Sequence, residues 1–124
     1  MEHSERFRVA WVDTDASGRI HFTAALRWIE VTETALMRMT GPLDGWGDFP
    51  RRQVEVEYRR VLRFDDELEV RLRVERVGNT SITYVWVIVS AGETAIEGRH
   101  TVVHVDEAGR PAPLPEQVRA ALSG

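Results

Sequence analysis

At 124 residues, with 43% hydrophobic and 29% charged residues, the chain has the size and balance of one soluble globular domain with a real core. It has no cysteine, which excludes a disulfide scaffold, a thiolate metal site and a cysteine nucleophile; all 16 basic residues are arginine, which excludes Schiff-base chemistry and a P-loop lysine. The net charge of −4 is spread over interleaved acidic and basic residues, so no basic stripe calls for a nucleic-acid partner.

The longest purely apolar run is Val85–Val89, too short to span a bilayer. The start, MEHSERFRV, lacks the apolar stretch of a signal peptide. No membrane association and a cytoplasmic location are therefore expected. There is no internal repeat or low-complexity linker, and residues 1–124 are read as a single domain.

In chain order, Phe7–Val12 reads as a strand ending at the polar turn Asp13–Gly18, where Gly18 can take a left-handed backbone conformation. A helix follows, from about Thr23 to Met39, with good helix formers and no internal Gly or Pro. Leu26, Ile29, Glu33 and Leu36 form one stripe, and Ala25, Trp28, Thr32 and Ala35 lie beside it. Most of the circumference is apolar or small, so the helix is expected to be mostly buried. Gly41-Pro42 stops it, and residues 41–50 form a loop.

The period then changes from 3.6 to 2. Val54, Val56 and Tyr58 alternate with polar residues, as do Leu68, Val70, Leu72 and Val74. Gly78-Asn79 turns into Ser81–Val89, apolar on both faces and therefore central, and Ala91-Gly92 turns into Thr94–Val105. The last three strands make an antiparallel meander. A short C-terminal helix closes the chain. The fold class is α+β: one long buried helix against a curved antiparallel sheet of about five strands. One helix cannot cover both faces of five strands, so a second subunit is expected to cover the remainder.

The stretch VAWVDTDASGRIHF, residues 9 to 22, carries the candidate chemistry. Asp13, Asp15, Ser17, Gly18 and Ile20 fall at calcium-loop positions, but the bidentate Glu of such a loop is replaced by Ala24 and a strand precedes it. No metal site is expected. The flanks fit a turn between a strand and a buried helix instead. The first N–H groups of that helix lack intrahelical partners and carry the positive end of its dipole. A carboxylate beside them suits acyl transfer, with a base or nucleophile near a carbonyl carbon and N–H donors on its oxygen. The plainer reading is that Asp13 and Asp15 cap the helix and order the turn.

The pattern V-x-W-x-D-T-D-A-x-G-x-I-H-F, followed by L-R-W-x-E, resembles the signature of the hotdog-fold acyl-CoA thioesterases of the 4-hydroxybenzoyl-CoA thioesterase type. VEVEYRRVLRFDDELEVRLRVERVG and EGRHTVVHVDEAGRPAPLPEQVRAAL resemble their later segments, so the likeness spans nearly the whole chain. It implies hydrolysis of acyl-CoA to free acid and coenzyme A without a cofactor, in a homodimer or homotetramer with the site at the subunit interface. By position, Asp15 is the catalytic carboxylate, the backbone N–H of Phe22 polarises the carbonyl, and Gly18 allows the close turn. Glu30, on a largely apolar helix, reads as a buried glutamate that needs a partner, most simply an arginine; the resemblance implies instead that it borders the acyl pocket.

Ala24 and Ala25 stand where that family usually has Asn and Tyr, which suggests a roomier pocket floor at Ala25 or a neighbour that fills it. Phe22 replaces a frequent His or Tyr. The turn Gly78–Thr80 lacks the basic residues that relatives carry for coenzyme A phosphates. Arg59 and Arg60, with Arg63, could meet those phosphates instead, or be a solvated strand end. His21 could orient the aspartate, contact substrate or serve structure alone. Arg27 is read as a structural partner at the subunit interface, and Trp28 and Trp86 as core. His100 and His104, about 13 Å apart on one strand face, are too distant for one metal and read as sheet-surface residues. A non-catalytic acyl-thioester binding protein is the other reading; a hydratase would need an acid and histidine spacing that is absent.

Overall fold

The computed structural model describes residues 1–42 and 44–123. The elements are β1 (Glu2–Arg8), α1 (Ala24–Arg38), β2 (Arg51–Tyr58), β3 (Glu67–Val77), β4 (Ser81–Ser90), β5 (Glu93–Val103) and α2 (Glu116–Ser123), with 3-10 turns at Trp11–Asp13 and Trp46–Asp48. The strands form one sheet in the order β1-β3-β4-β5-β2, every pair antiparallel. The expected helix, the meander and the central place of the two-sided apolar strand are all present.

The first strand differs from the reading. It is Glu2–Arg8, ending where Phe7–Val12 was expected to begin, and it pairs with β3 from Glu2↔Arg73 to Arg8↔Glu67. Residues 2–6 are polar because β1 is an edge strand, so they show little hydrophobic alternation. Trp11–Asp13 is wound instead of extended because the Asp13 carboxylate reaches back to the Ala10 N–H (2.8 Å).

The core lies between α1 and one sheet face. Leu68, Val70 and Leu72 of β3, Ile82, Tyr84, Trp86 and Ile88 of β4, and Ile96 and Val102 of β5 meet Ala25, Trp28, Ile29, Leu36 and Met37 of α1. Trp28 and Trp86 are core residues, as expected. The helix is less enclosed than its composition suggests: Leu26, Arg27, Glu30 and Val31 are exposed. On the far sheet face, half-buried Val85 and Val87 are flanked by ion pairs such as Arg71–Glu69 (2.6 Å) and Arg99–Glu75 (2.9 Å).

Strand β2 is the poorly covered part of the sheet. Val54 and Tyr58 pair with the buried His100 and Ile96 and so face the helix side, yet they are 42% and 46% exposed. One close approach anchors β2: a Cβ at Gly98 of β5 would meet the Glu55 carbonyl oxygen at 2.3 Å and the Trp86 ring at 2.7 Å. Only glycine lets the strand and the indole lie there.

Candidate active site

The turn after β1 is built from two aspartates with different tasks. Asp13 is 3% exposed. Its carboxylate accepts from the Ala10 N–H and pairs with Arg27 of α1, while its carbonyl accepts the His21 N–H (2.7 Å). It therefore ties the turn to both sides of the helix start. Arg27 finds its partner within its own chain.

Asp15 is exposed. Its Oδ1 accepts the Ser17 N–H (2.8 Å) and the Ser17 hydroxyl (2.6 Å). Among the described residues Oδ2 accepts no hydrogen bond. The Asp15 N–H donates to the Arg19 carbonyl (2.8 Å) and its carbonyl accepts the Gly18 N–H (3.1 Å). Gly18 has φ +80° with open space around it, so the position needs glycine for its dihedral and not for room. Bridges Thr14↔Ile20 and Arg19↔Arg63 close the loop. The Ser17 hydroxyl, then the Ser17 N–H, hold the Asp15 carboxyl below its ordinary range; burial opposes them, and the charges of His21 and Arg19 add smaller lowering effects.

Neither aspartate caps α1. Thr23 occupies the N-cap position without a side-chain cap bond. Instead His21 Nδ1 contacts Thr23 Oγ1 (2.7 Å) and accepts the Thr23 N–H (3.3 Å). The Ala24 N–H donates to the His21 carbonyl (2.9 Å). A trans peptide points its N–H opposite to its C=O, so the Phe22 N–H, in the same peptide unit, points away from the helix. It has no acceptor among the described residues. The Phe22 carbonyl accepts the Tyr58 hydroxyl across from β2, and the Phe22 ring, 66% exposed, stacks on His21 at 4.7 Å. The result is a restrained first turn whose Phe22 N–H has no acceptor among the described residues, preceded in the same turn by a carboxylate with one unbonded oxygen.

Residues 9–122 match the thioesterase-like superfamily. The chain belongs to that superfamily. It is 29% identical over 120 residues to the acyl-CoA thioester hydrolase YbgC of Escherichia coli O6:H1, covering 91% of this chain and 90% of that one. Its structure is similar to that of a predicted thioesterase from Bacillus stearothermophilus, with a TM-score of 0.90 at 25% identity over 99% of this chain and 95% of the other. It is also similar to a Thermus thermophilus thioesterase complexed with coenzyme A and Zn, with a TM-score of 0.89 at 29% identity over 97% and 90%. The five-stranded sheet against α1 is the hotdog fold of these thioesterases.

Within this thioesterase fold the remaining candidates fall in several places. Ala25 is fully buried, with Ala24 beside it. Glu30 is exposed on the outer face of α1, so the sequence reading of a buried glutamate there is corrected. The buried glutamate is Glu33, with 0% exposure. Arg51 grips it with both terminal nitrogens, Nη1 on Oε2 and Nη2 on Oε1, each at 2.8 Å. Arg59 pairs with Glu57 (2.8 Å) and Glu97 (2.6 Å), and Arg60 with Glu93 (2.7 Å). Both are thus matched by carboxylates of their own chain.

His100 is not on the sheet surface. It is 3% exposed, its Nε2 lies 2.6 Å from Glu33 Oε1, and its ring stacks on Tyr84 at 4.9 Å. The Trp86 Nε1–H donates to its Nδ1 (3.1 Å). An indole nitrogen is only a donor, so Nδ1 carries a lone pair and the proton sits on Nε2, directed at Glu33. His104 is half-buried, with Nδ1 on the Ala112 carbonyl (3.3 Å) and its ring against Phe49 (5.0 Å). The helix stripe already held the signal for Glu33, since a carboxylate among Ile29, Leu36 and Leu26 needs buried partners. Those partners lie 18 and 67 residues away, beyond any local pattern.

Proposed function

We propose that this chain hydrolyses acyl-CoA thioesters to the free acid and coenzyme A. The observation that carries the reading is that one turn holds both a Phe22 N–H without an acceptor among the described residues, at the start of α1, and an Asp15 carboxyl held below its ordinary range with one oxygen unbonded. Asp15 either adds to the thioester carbonyl carbon, giving an acyl–Asp15 anhydride that water then hydrolyses to the free acid, or takes a proton from the water that adds and passes it on to the departing thiolate. The carbonyl oxygen gathers negative charge, and the Phe22 N–H with the helix dipole stabilises it. The C–S bond then breaks and the thiolate of coenzyme A leaves. Gly18 supplies the dihedral that brings the turn round. Two relatives, an acyl-CoA thioester hydrolase and a thioesterase complexed with coenzyme A, support this substrate class.

The working unit in this reading is at least a dimer with the site at its interface. Trp11, Val12, Phe22, Val61 and Phe64 are all exposed near the turn, and β2 lies bare beside them. An apolar patch of that kind, continuous with an open strand edge, favours association. His21, Glu30 and the pocket floor near Ala25 then meet substrate from two chains, while Arg59 and Arg60 must exchange a carboxylate for a phosphate to contribute. None of the described helices is long and apolar enough to cross a membrane, and we place the enzyme in the cytoplasm as one domain.

Release of free thiol from a panel of acyl-CoA substrates tests the reading. Steady turnover of at least one member is the expected result. Tight binding of the panel without turnover would assign the chain to non-catalytic acyl-thioester binding on the same scaffold.

A further inference from the structure

The start of α1 lacks the usual restraint. Its N-cap residue makes no side-chain cap bond, and the Leu26 N–H, the donor that a regular helix would aim at the Phe22 carbonyl, goes to Thr23 instead (3.1 Å). The Phe22 carbonyl would be left open. It is taken by the phenol of Tyr58, the last residue of β2, 36 residues away in sequence. Tyr58 can reach it because β2 is poorly covered and its helix-side residues face a gap. At the opposite end of the same strand, Arg51 ties β2 to Glu33, deeper along α1. The helix and the uncovered strand are thus joined by polar links near both ends of β2.

The placement matters for the reaction because Phe22 sits between two peptide units. The first contains its N–H and is fixed through the His21 carbonyl by Ala24. The second contains its C=O and is fixed by Tyr58. With both planes held, the dihedrals at the Phe22 Cα have little freedom, and the N–H keeps one direction before substrate arrives. Donors that need no reorganisation during reaction are the effective ones.

We propose that Tyr58 is a positioning residue for the oxyanion donor: its hydroxyl clamps the Phe22 peptide from the end of β2 and so aims the Phe22 N–H. This rests on the acyl-CoA hydrolysis reading. The phenol touches neither substrate nor reacting atoms in this role. Its burial pushes its own ionisation upward, so the O–H donor persists through neutral and mildly alkaline pH.

The test is Tyr58→Phe, which removes one oxygen and keeps the ring. A misplacement of about 1 Å can cost roughly 10²-fold in rate, so kcat should fall by up to about 10²-fold, with KM and melting temperature close to wild type. Binding of an S-alkyl-CoA thioether, which has no carbonyl for the N–H to hold, should be unchanged. Amide exchange at residues 22–24 of the free protein should speed up. Wild-type kcat and exchange in Tyr58→Phe would overturn the proposal, and so would a kcat loss matched by equal loss of thioether affinity, since that is general loosening. Failure of the hydrolysis reading shows separately, as a wild-type protein that releases no thiol.

Discussion

Two carboxylates of this chain differ in what surrounds them. Glu33 lies at the middle of α1 with no exposure, and Arg51 and His100 bond both of its oxygens. Asp15 lies in the turn before α1, exposed, with Ser17 on one oxygen and the other open. The first is a closed circuit. Every strong donor aimed at it is part of the fold, so it holds α1 to β5 and β2 and has nothing left for a ligand. The second is half-served, and the Phe22 N–H later in the same turn is also unused. Burial alone would have drawn attention to Glu33; spare hydrogen-bonding capacity draws it to Asp15.

The largest expected effect would break the Asp15 side of the comparison. Asp15→Asn keeps an oxygen for Ser17 but loses the charge, and kcat for thiol release should fall by roughly 10²–10⁴-fold in folded protein. Asp13→Asn disturbs the Arg27 pair without touching the open carboxylate, so its rate loss should be several-fold smaller. Equal losses in the two variants, with circular dichroism showing both folded, would remove the distinction between the reacting and the bracing aspartate.

The next effect acts on stability and not on rate. Arg51→Ala leaves the Glu33 charge enclosed with only the neutral His100 donor. Breaking a buried pair costs about 3–5 kcal/mol, and the low end applies because a third of the Arg51 side chain is exposed. Urea titration should show that loss, while kcat of the folded fraction stays near wild type. A stable Arg51→Ala protein with a large kcat defect would turn the closed circuit into part of the active site.

The smallest effect sharpens the electrostatics of the turn. The Ser17 hydroxyl is the leading cause of the lowered Asp15 ionisation. Activity that needs the carboxylate is present above its pKa and lost as pH falls through it. Ser17→Ala raises that pKa toward the ordinary value, so the acid limb of kcat/KM should move to higher pH. At neutral pH the carboxylate remains ionised and the rate should barely change. An acid limb that stays in place would mean that another group controls it.

The path from sequence to these features was uneven for physical reasons. Helix α1 and strands β3 to β5 were legible because their apolar periods are long and carry Gly-containing punctuation. Strand β1 was not, since an edge strand with half its side chains in water hides its alternation among Glu, Ser and Arg. Asp15, Gly18 and Phe22 stood out through their shared motif. Tyr58 did not, because its link to Phe22 depends on two distant elements meeting. The exchange of Glu30 for Glu33 has a similar origin: both carry charge on an apolar helix, and only the tertiary direction of the stripe decides which is enclosed.

Gly98 has a consequence for how variation in such chains is interpreted. A methyl group there would collide with the backbone of β2 as well as with Trp86. A smaller residue at 86 would relieve only the second clash, so no paired replacement of side chains opens the position. Residue 98 is therefore confined to glycine by its surroundings, although Gly98 has no side chain to react, bind or donate. A steric constraint and a chemical one break differently: Gly98→Ala should disrupt the folded protein, and Asp15→Asn should disrupt turnover.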